Sequence, residues 1–382
     1  MSIRLVHYIR GLRLAEGGVV RFVIDHAEAV ARCGAQVSVL SATAPDAPRS
    51  WRTADANPRL IELPDLTPRR PHRFALTARK LLSDADVLHL HTPWDPANIV
   101  FARAARLAGV PYVLTLHGML DGWSMAQKSL KKRAYLATIG SRLLRGASAI
   151  HATAEAESIQ SKRWAQATRW SVIPCVFDSD PYRERPDASE AKHTFPEVFE
   201  TGEPVVLFLS RVHPGKGVPE LIDAVAHLRD RLPVQCVIAG PAEKAFQREL
   251  ETQAKRAGVA ERIRFVGFVG GSLKNSLLAA ADAYVLASAH ENFGLALAEA
   301  MACGTPVITT RNVGPWRELE AAGAWITEPD SQAIDGALEN ILRDKAAASR
   351  SAERARAWIL DAWDPRKTAL RYLELYDMIN NA

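Results

Sequence analysis

The amino-acid sequence predicts an α/β protein built from two Rossmann-like domains that face each other across a cleft. Three observations carry this prediction. The chain has 382 residues, more than one hydrophobic core usually organises. Short apolar runs alternate with amphipathic stretches, which is the pattern of a doubly wound parallel sheet. A polar stretch rich in Pro, Asp, Glu and Arg, residues 178–204, interrupts this alternation and is interpreted as a connector.

The first half of the chain contains a series of candidate strands. Several are continuous apolar runs, as expected when helices cover both faces of a sheet. Amphipathic stretches at Val20–Cys33 and Asn98–Ala108 supply two of the intervening helices. The candidate strands are Ile3–Tyr8, Gln36–Leu40, Val87–His91, Tyr112–Leu116, Ala149–Ala152 and Ser171–Ile173.

A second series of strands begins after the connector. The sequence therefore predicts an N-terminal domain over residues 1–177 and a C-terminal domain over residues 205–362. Ligands of open α/β sheets bind beyond the carboxyl ends of the strands, so motifs at those ends are the candidate functional residues. The second series is Val205–Ser210, Val234–Ala239, Ile263–Val266, Ala283–Leu286, Pro306–Thr309 and Ala324–Ile326.

The composition is that of an ordinary globular protein, with 48% hydrophobic and 24% charged residues. The sequence contains no run of 18 apolar residues, so no transmembrane helix is expected. Its first ten residues, MSIRLVHYIR, resemble a first strand more than a signal peptide. The four cysteines lack metal-ligand spacing, which is typical of buried thiols in a reducing compartment. We therefore expect a cytoplasmic protein.

Positive charge is concentrated in one segment. The net charge is +5, and no acid occurs between Asp121 and Glu155. A local basic patch predicts an anionic partner for one face of the protein and disfavours general nucleic-acid binding. The six bases of this segment, called the basic segment below, are Lys128, Lys131, Lys132, Arg133, Arg142 and Arg145.

Two motifs follow strands of the first series. Gly17 and Gly18, within Glu16–Arg21, open a helix after the first strand, where the backbone can approach an anionic ligand closely. The pattern is not the GxGxxG of dinucleotide-binding proteins, and a plain tight turn is the alternative. His117 ends another strand beside Gly118, a position where active-site groups of such folds lie. A structural, hydrogen-bonded histidine is the alternative.

A third motif, Ser210–Gly217, follows the strand Val205–Ser210. Arg211 and Lys216 flank a Pro-Gly turn at the mouth of the predicted sheet. Two cations on a tight loop suit a diphosphate, because arginine can bind two oxygens and lysine adds a point charge. The loop is not a Walker motif, and two solvated surface bases are the alternative.

The fourth motif is the most informative, and it runs from His290 to Gly304. Glu291 precedes Asn292-Phe293-Gly294-Leu295, which opens a helix whose free N–H groups can meet phosphate and sugar oxygens. Glu299 lies about 12 Å further along that apolar helix, so the two carboxylates can hold opposite ends of an extended ligand. A buried charge needs a partner, and a salt-bridged structural acid is the alternative for Glu299.

Two further patterns are interpreted as unrelated to catalysis. Asp178-Ser179-Asp180 matches the DxD of metal-dependent enzymes but lies in the polar connector, so no metal site is expected. Cys303 is interpreted as a packing residue, because no neighbouring group in the sequence would lower its pKa. No cofactor is expected.

These four elements, in this order, resemble glycosyltransferase family 4, the retaining enzymes of the GT-B fold. The resemblance covers nearly the whole chain and is most specific in the Arg211/Lys216 loop and in Glu291-x7-Glu299 followed by Ala-Met-Ala-Cys-Gly-Thr-Pro-Val. It implies that Arg211 and Lys216 bind the diphosphate of a nucleotide-sugar donor. It also implies that Glu299 binds the ribose and Glu291 the sugar hydroxyls.

The resemblance implies further roles. The backbone of Asn292–Leu295 would contact sugar and phosphate, and His117 would lie near the anomeric centre. Gly17 and Gly18 would line the donor and acceptor side, with the base near Gly240 and Phe268. The N-terminal domain would be the acceptor side, with the C-terminal helix, residues 363–382, packed back on it. The junction departs from the family pattern, since it reads Ile-Pro-Cys-Val-Phe-Asp where Ile-Pro-Asn-Gly-Val-Asp is common.

The function implied is retaining transfer of a hexose-type sugar from a UDP- or GDP-sugar to a glycan or polyprenyl-linked saccharide, in bacterial cell-surface polysaccharide biosynthesis. The two cations would make a metal unnecessary. The basic segment would rest on an anionic membrane, with a solvated helix face as the alternative. A sugar-nucleotide epimerase of the same architecture and a non-catalytic glycan-binding relative remain as alternatives.

Overall fold

The computed structural model describes residues 2–14, 17–63, 71–165 and 169–382, without the side chains of residues 71–74. The chain divides into two compact units. The first comprises Met1–Asp178 together with Trp363–Ala382, and the second comprises Ser179–Ala362.

The first unit contains a parallel sheet of seven strands in the order β3-β2-β1-β4-β5-β6-β7. The central strands are buried throughout, because helices cover both faces. The strands are β1 Arg4–Gly11, β2 Gln36–Thr43, β3 Arg59–Glu62, β4 Val87–His91, β5 Tyr112–Thr115, β6 Ala149–Ala152 and β7 Trp170–Val172.

Helices connect these strands. In α3, Asp95 accepts a hydrogen bond from the Ala97 N–H at the start, and Gly109 adopts a left-handed conformation at the end. The helices of this part are α1 Gly18–Arg32, α2 Pro71–Leu81, α3 Pro96–Ala108, α4 Gly122–Ala126, α5 Ser129–Ala137, α6 Ile139–Arg145 and α7 Glu155–Ser161.

The second unit contains a parallel sheet of six strands in the order β10-β9-β8-β11-β12-β13. Its strands are β8 Val205–Leu209, β9 Gln235–Ala239, β10 Ile263–Gly267, β11 Ala283–Leu286, β12 Val307–Thr310 and β13 Trp325–Thr327. Its helices are α8 Ser189–Thr194, α9 Pro196–Phe199, α10 Val218–Leu228, α11 Lys244–Arg256, α12 Gly271–Ala280, α13 Leu295–Cys303, α14 Trp316–Ala322, α15 Ser331–Arg343 and α16 Lys345–Ala362.

Residues 179–204, which the sequence presents as a polar connector, lie within the second unit. They form α8 and α9, and α8 packs against α12. The backbone N–H of Ala191 donates to the Ser276 hydroxyl over 2.9 Å, and Ala191 is fully buried. The polar composition of this stretch reflects short helices with one buried face each.

The last helix, α17 Pro365–Asn380, belongs to the first unit and packs against α1. It begins at Asp364, whose side chain accepts a hydrogen bond from the Lys367 N–H. Tyr372 and Tyr376 on this helix are completely buried. No helix in the described ranges combines the length and the apolarity needed to cross a membrane.

The predicted α/β class is confirmed, and the predicted strands agree with the structure to within a few residues. The bounds of β4, β6 and β11 agree at both ends. The sequence analysis missed β3, Arg59–Glu62, an edge strand whose two central residues are only partly buried. A four-residue strand with charged ends carries little apolar signal.

The core of the first unit is unusually polar, because five histidines with at most 2% exposure lie within it. They come from β1, α1, β4 and β6, and they contact one another and the α17 tyrosines. Burial lowers the pKa of His7 to about 3 and that of His151 to about 4, and lowers the others well below the usual value. The five are His7, His26, His89, His91 and His151.

This polar core predicts that the protein loses stability below about pH 6.5. The folded state disfavours protonation of the five histidines, so the unfolded state binds more protons as the pH falls through its own histidine pKa. Asp25, with its pKa raised by burial to about 6, opposes the trend as one group against six, because burial also lowers the pKa of His117 to about 3. Urea unfolding between pH 7.5 and 5 should show the free energy of unfolding decreasing steeply. A flat profile would contradict the neutral state of these imidazoles.

The turn after β9 predicts a second stability effect, at Gly240. Its φ is +142°, and an added Cβ would lie 1.8 Å from the backbone oxygen of Ser210. We expect Gly240→Ala to lower the free energy of unfolding by about 3 kcal/mol or more, because strain and a backbone clash combine. The control is Gly336→Ala within α15, where nothing lies within 4 Å, and which should stabilise by roughly 0.5–1 kcal/mol. Urea unfolding of both variants measures the difference, and equal stabilities would contradict the strained turn.

Candidate functional site

Four neighbouring strands of the second unit bring the sequence-predicted residues to one edge of the sheet. Arg211 follows β8, Gly240 follows β9, Phe268 follows β10, and Glu291 follows β11. The strand order β10-β9-β8-β11 makes these four carboxyl ends adjacent. The edge therefore collects a cation, a carboxylate, a glycine turn and an aromatic ring that is 80% exposed.

The loop after β8 is held against the loop after β11. Gly217 adopts a φ of +81°, and an added Cβ would lie 2.3 Å from the Ala287 backbone oxygen. The Ala289 N–H donates to the Gly215 carbonyl over 2.8 Å. These contacts place Lys216 on the loop beside Glu291, and the Lys216 Nζ to Glu291 Oε2 distance is 2.7 Å.

The Lys216–Glu291 ion pair is largely shielded from water. The side chains are 17% and 21% exposed, respectively. Arg211 is exposed, and none of the ion pairs identified within the described ranges involves it. The edge thus offers one cation already neutralised by a carboxylate and one that faces solvent.

The backbone of the Glu291 loop is fixed by the loop that follows the neighbouring strand, β12. The Glu291 N–H donates to the Asn312 carbonyl over 3.1 Å, and the Gly314 N–H donates to the Glu291 carbonyl over 2.9 Å. Gly294 then adopts a left-handed conformation, and α13 begins at Leu295 without a side-chain cap. The first N–H groups of α13 carry the partial positive charge of the helix start, which directly follows the Glu291 loop in sequence.

Glu299 lies on α13 and is paired with Lys274 of α12. The Lys274 Nζ to Glu299 Oε1 distance is 2.5 Å, and both side chains are about one-fifth exposed. The sequence indicated that Glu299 needs a partner but did not identify Lys274. No sequence spacing marks this contact, because the packing of α12 against α13 creates it.

Two buried groups near the carboxylates, Tyr284 and Cys303, have raised pKa values. Burial, with contributions from the charges of Glu291 and Glu299, raises the pKa of Tyr284 well above its usual value. Its hydroxyl donates to the Leu209 carbonyl at the end of β8 over 2.9 Å. Burial also raises the pKa of the Cys303 thiol to about 12, which agrees with its interpretation as a packing residue.

The first unit presents its own candidate residues at the carboxyl ends of β1 and β5. Gly17 adopts a φ of +106° and precedes α1, which begins at Gly18; Glu16 lies outside the described residues. His117 follows β5 with a φ of +54°, a strained value for a residue with a side chain. Such strain persists only where surrounding contacts impose it.

Several contacts hold His117 in place. Its Nε2 lies 3.2 Å from Nδ1 of His91, and Phe22 packs edge-on against its ring at 4.8 Å. The next residue, Gly118, donates its N–H to the buried carboxylate of Glu157, which also accepts from the Thr153 N–H. The sequence analysis missed Glu157. Its signal, one of two acids in the first turn of the helix after β6, is too common to single it out.

The structure thus brings Arg211, Lys216, Glu291, Gly240 and Phe268 to one edge of the second sheet. Glu299 lies further along α13 from that edge. Two of the predicted residues, Gly17 and Gly18, lie at one edge of the first sheet with His117, since only β4 separates β1 from β5.

Comparisons with known proteins identify both halves of the chain. The family "Glycosyl transferases group 1" matches residues 189–358, and the family "Glycosyl transferase 4-like domain" matches residues 17–175. The phosphatidyl-myo-inositol mannosyltransferase of Mycobacterium tuberculosis is 31% identical over 368 residues, covering 90% of each chain. A GDP-mannose-dependent phosphatidylinositol monomannoside mannosyltransferase of Mycolicibacterium smegmatis is 28% identical, covering 86% of this chain and 85% of its own.

Solved structures share the fold over nearly the full length. HepE of Anabaena, solved in complex with UDP and glucose, has a TM-score of 0.78 and 22% identity over 98% of this chain and all of its own. Sucrose-phosphate synthase of Thermosynechococcus elongatus has a TM-score of 0.81 and 21% identity over 99% of both chains. With its two Rossmann-like parallel sheets in the GT-B fold and a full-length relative above 30% identity, the chain belongs to glycosyltransferase family 4 and is a glycosyltransferase.

Proposed function

We propose that this glycosyltransferase moves a hexose-type sugar, with retention, from a UDP- or GDP-sugar to a glycan or polyprenyl-linked saccharide. The observation that carries the proposal is the Lys216–Glu291 pair beside Arg211 and the uncapped start of α13. A site that holds a diphosphate and a sugar needs cations and a hydroxyl acceptor side by side. The mannosyltransferase of M. smegmatis named above uses GDP-mannose, and HepE binds UDP and glucose.

Charge explains how these groups act together. Glu291 and a bound diphosphate would repel each other in a shielded site, and Lys216 between them offsets that repulsion. Arg211 can bind two phosphate oxygens, and the helix start adds partial positive charge. Negative charge develops on the leaving diphosphate as the glycosidic bond breaks, so these groups stabilise the transition state without a metal ion.

The remaining donor contacts follow from position. Glu291 accepts hydrogen bonds from the sugar hydroxyls, with the backbone of Asn292–Leu295 beside it. Glu299 accepts from the ribose, with Lys274 neutralising the carboxylate until the donor arrives. The exposed ring of Phe268 stacks on the base, and the turn at Gly240 lies beside it at the end of the neighbouring strand.

The first unit contributes the acceptor side in this proposal. His117 lies near the sugar and the anomeric centre, while Gly17 and Gly18 line the approach of the acceptor. Retention requires attack on the face from which the diphosphate departs. A leaving phosphate oxygen then takes the proton of the acceptor hydroxyl as the new glycosidic bond forms, so no covalent enzyme intermediate is needed.

Replacing either member of the Lys216–Glu291 ion pair tests the proposed donor site. We expect Lys216→Ala and Glu291→Ala to lower kcat/KM by about 10²-fold or more, as for loss of a preorganised charge in a shielded site. Thermal shifts with UDP-glucose, GDP-mannose and related nucleotide sugars select the donor first. The matched control is Lys345→Ala, which removes an exposed ion pair on α16 and should leave transfer unchanged. Wild-type rates in either active-site variant would contradict the proposed donor site.

The protein with its selected nucleotide sugar also distinguishes the proposed transferase from the alternative functions. An epimerase turns over a nucleotide sugar without an acceptor, whereas the proposed transferase requires one. A non-catalytic glycan-binding relative shows neither reaction. The anomeric configuration of the product, measured by NMR, tests retention, and undiminished transfer in EDTA tests metal independence.

The basic segment supports a lipid-linked acceptor at an anionic membrane surface. It spans α5 and α6, which contact each other, and three large apolar side chains in or near it are exposed: Leu130 at 83%, Ile139 at 52% and Trp123 at 45%. Lys132 is engaged within the protein, donating to the Ser124 carbonyl over 2.6 Å. The other five bases are exposed. Exposed apolar side chains among bases are typical of a surface that rests on anionic lipid.

This surface predicts salt-sensitive binding to vesicles containing phosphatidylglycerol and none to pure phosphatidylcholine. Replacing Lys128, Lys131 and Arg142 with Gln should weaken that binding by about 10²-fold, at about 1 kcal/mol per base. The matched control replaces Arg343, Lys345 and Arg354 of the second unit with Gln. Vesicle co-sedimentation measures both, and no binding of the wild type at any salt concentration would contradict the membrane surface.

A further inference from the structure

Three histidines, linked by contacts between their ring nitrogens, form a chain of hydrogen bonds that leads from the core of the first unit to His117. Nδ1 of His7 lies 3.0 Å from Nε2 of His91, and Nδ1 of His91 lies 3.2 Å from Nε2 of His117. His7 and His91 are buried, whereas His117 is partly exposed. Within the described part of the protein, no group hydrogen-bonds Nδ1 of His117.

All three imidazoles are neutral at physiological pH. Burial lowers the pKa of His7 and of His117 to about 3 and that of His91 well below its usual value. A neutral imidazole has one N–H donor and one bare acceptor nitrogen. The direction of one hydrogen bond in the chain therefore fixes the direction of the other.

Only two directions are possible, and they differ at the buried end. If protons point from His7 towards His117, Nε2 of His7 is a bare nitrogen. If they point the other way, Nε2 of His7 carries a proton. This atom is buried without a hydrogen-bond partner among the described residues. A buried N–H without a partner is rare and costly, and an unfilled acceptor is tolerated better, so the first direction is favoured.

A second series of hydrogen bonds in the same core also ends at a bare buried nitrogen, and its direction is fixed independently. Its direction is fixed by the Ile173 carbonyl, which can only accept and lies 2.9 Å from Nε2 of His151. Following the donors back leads to Nδ1 of His26, which is again a bare buried nitrogen without a partner among the described residues. The members, in order, are Ile173, His151, Thr115, His89, Tyr376 and His26.

A metal site formed by His7, His89 and His91 is the competing interpretation, since one nitrogen from each lies within 4.8 Å of the others. The ring planes of His7 and His91 are nearly parallel, at 15°, and their facing nitrogens lie 3.0 Å apart, as in a hydrogen bond. His89 stacks on His91 at 26°, so its in-plane lone pairs run alongside those of His91 and do not meet them at one point. Both nitrogens of His89 also have hydroxyl partners, Tyr376 and Thr115. Hydrogen bonding accounts for this cluster better than ligation of an ion.

We propose that His91 and His7 are positioning residues that set the tautomer of His117, so that it presents Nδ1–H as a hydrogen-bond donor. Its ligand is then an acceptor oxygen, the hydroxyl oxygen of a donor sugar or an oxygen of its phosphate. The identity of the ligand of His117 rests on the proposed function, whereas the tautomer of His117 does not. Glu157 fixes the backbone at Gly118 while the histidine chain fixes the ring.

The tautomer is measured directly by NMR on protein labelled with ¹⁵N-histidine, without any substrate. Two-bond proton–nitrogen correlations distinguish protonated from bare ring nitrogens, and the spectrum of His117→Gln assigns the signals. We expect protonated Nδ1 and bare Nε2 at pH 7. A protonated Nε2, a doubly protonated ring or stoichiometric zinc in the purified protein would overturn the proposal.

Two variants of His91 test the chain itself. His91→Leu removes the donor to His117 Nε2, so the Nε2–H tautomer of His117 should appear. His91→Gln keeps an amide oxygen to accept from His7 and an amide N–H to donate to His117, and it should retain the Nδ1–H tautomer. An unchanged tautomer in folded His91→Leu would show that the chain does not set it. Loss of the Nδ1–H tautomer in folded His91→Gln would do the same.

Kinetics then separate positioning from general loss of structure. With the nucleotide sugar selected by thermal shift, His91→Leu should lower kcat/KM by about 3- to 10-fold, the effect of one neutral hydrogen bond. His91→Gln should retain most activity, and the exposed control His227→Leu should match the wild type. Equal losses in His91→Leu and His91→Gln would overturn the positioning role. If no nucleotide sugar binds, the proposed function fails while the NMR result still decides the tautomer.

Discussion

Parallel strand pairing is the constraint on which the rest of this structure depends. A parallel strand can only be reached by a crossover, so every strand of each sheet returns its carboxyl end to the same edge. In the second sheet the loops at that edge carry Arg211 and Glu291, and in the first sheet the corresponding edge carries His117. Helices on both faces bury the strands, so the loops at these edges present backbone and charged side chains to solvent.

Two lysine–glutamate pairs lie in the second unit, one at the carboxyl edge of its sheet and one further along α13. Lys216 pairs with Glu291, and Lys274 pairs with Glu299, each partly shielded from water. An unpaired carboxylate at such a position would be costly, and so would an unpaired lysine. Each lysine holds its carboxylate in a defined position within the second unit.

The sequence predicted the fold class and most strands, because buried parallel strands such as Val205–Leu209 are continuous apolar runs followed by turn residues. It could not predict β3, whose pairing depends on the neighbouring strand more than on its own four residues. The same limit applies at the site. Arg211, Lys216, Glu291 and Glu299 stand in recognisable motifs, but Lys274 and Glu157 reach their partners only through packing. The histidine chain was also hidden, since register between strands, not spacing along one strand, aligns His7 with His89 and places His91 beyond it.

The buried tyrosines of α17 have a consequence for the order in which the protein can fold. Tyr376 joins His26 to His89, and Tyr372 lies beside His151, so the last helix supplies hydroxyls that the polar core of the first unit requires. Synthesis proceeds from the N-terminus, and these hydroxyls emerge from the ribosome only after the whole second unit. On the ribosome, the first unit therefore cannot complete these hydrogen bonds until the second unit has been synthesised.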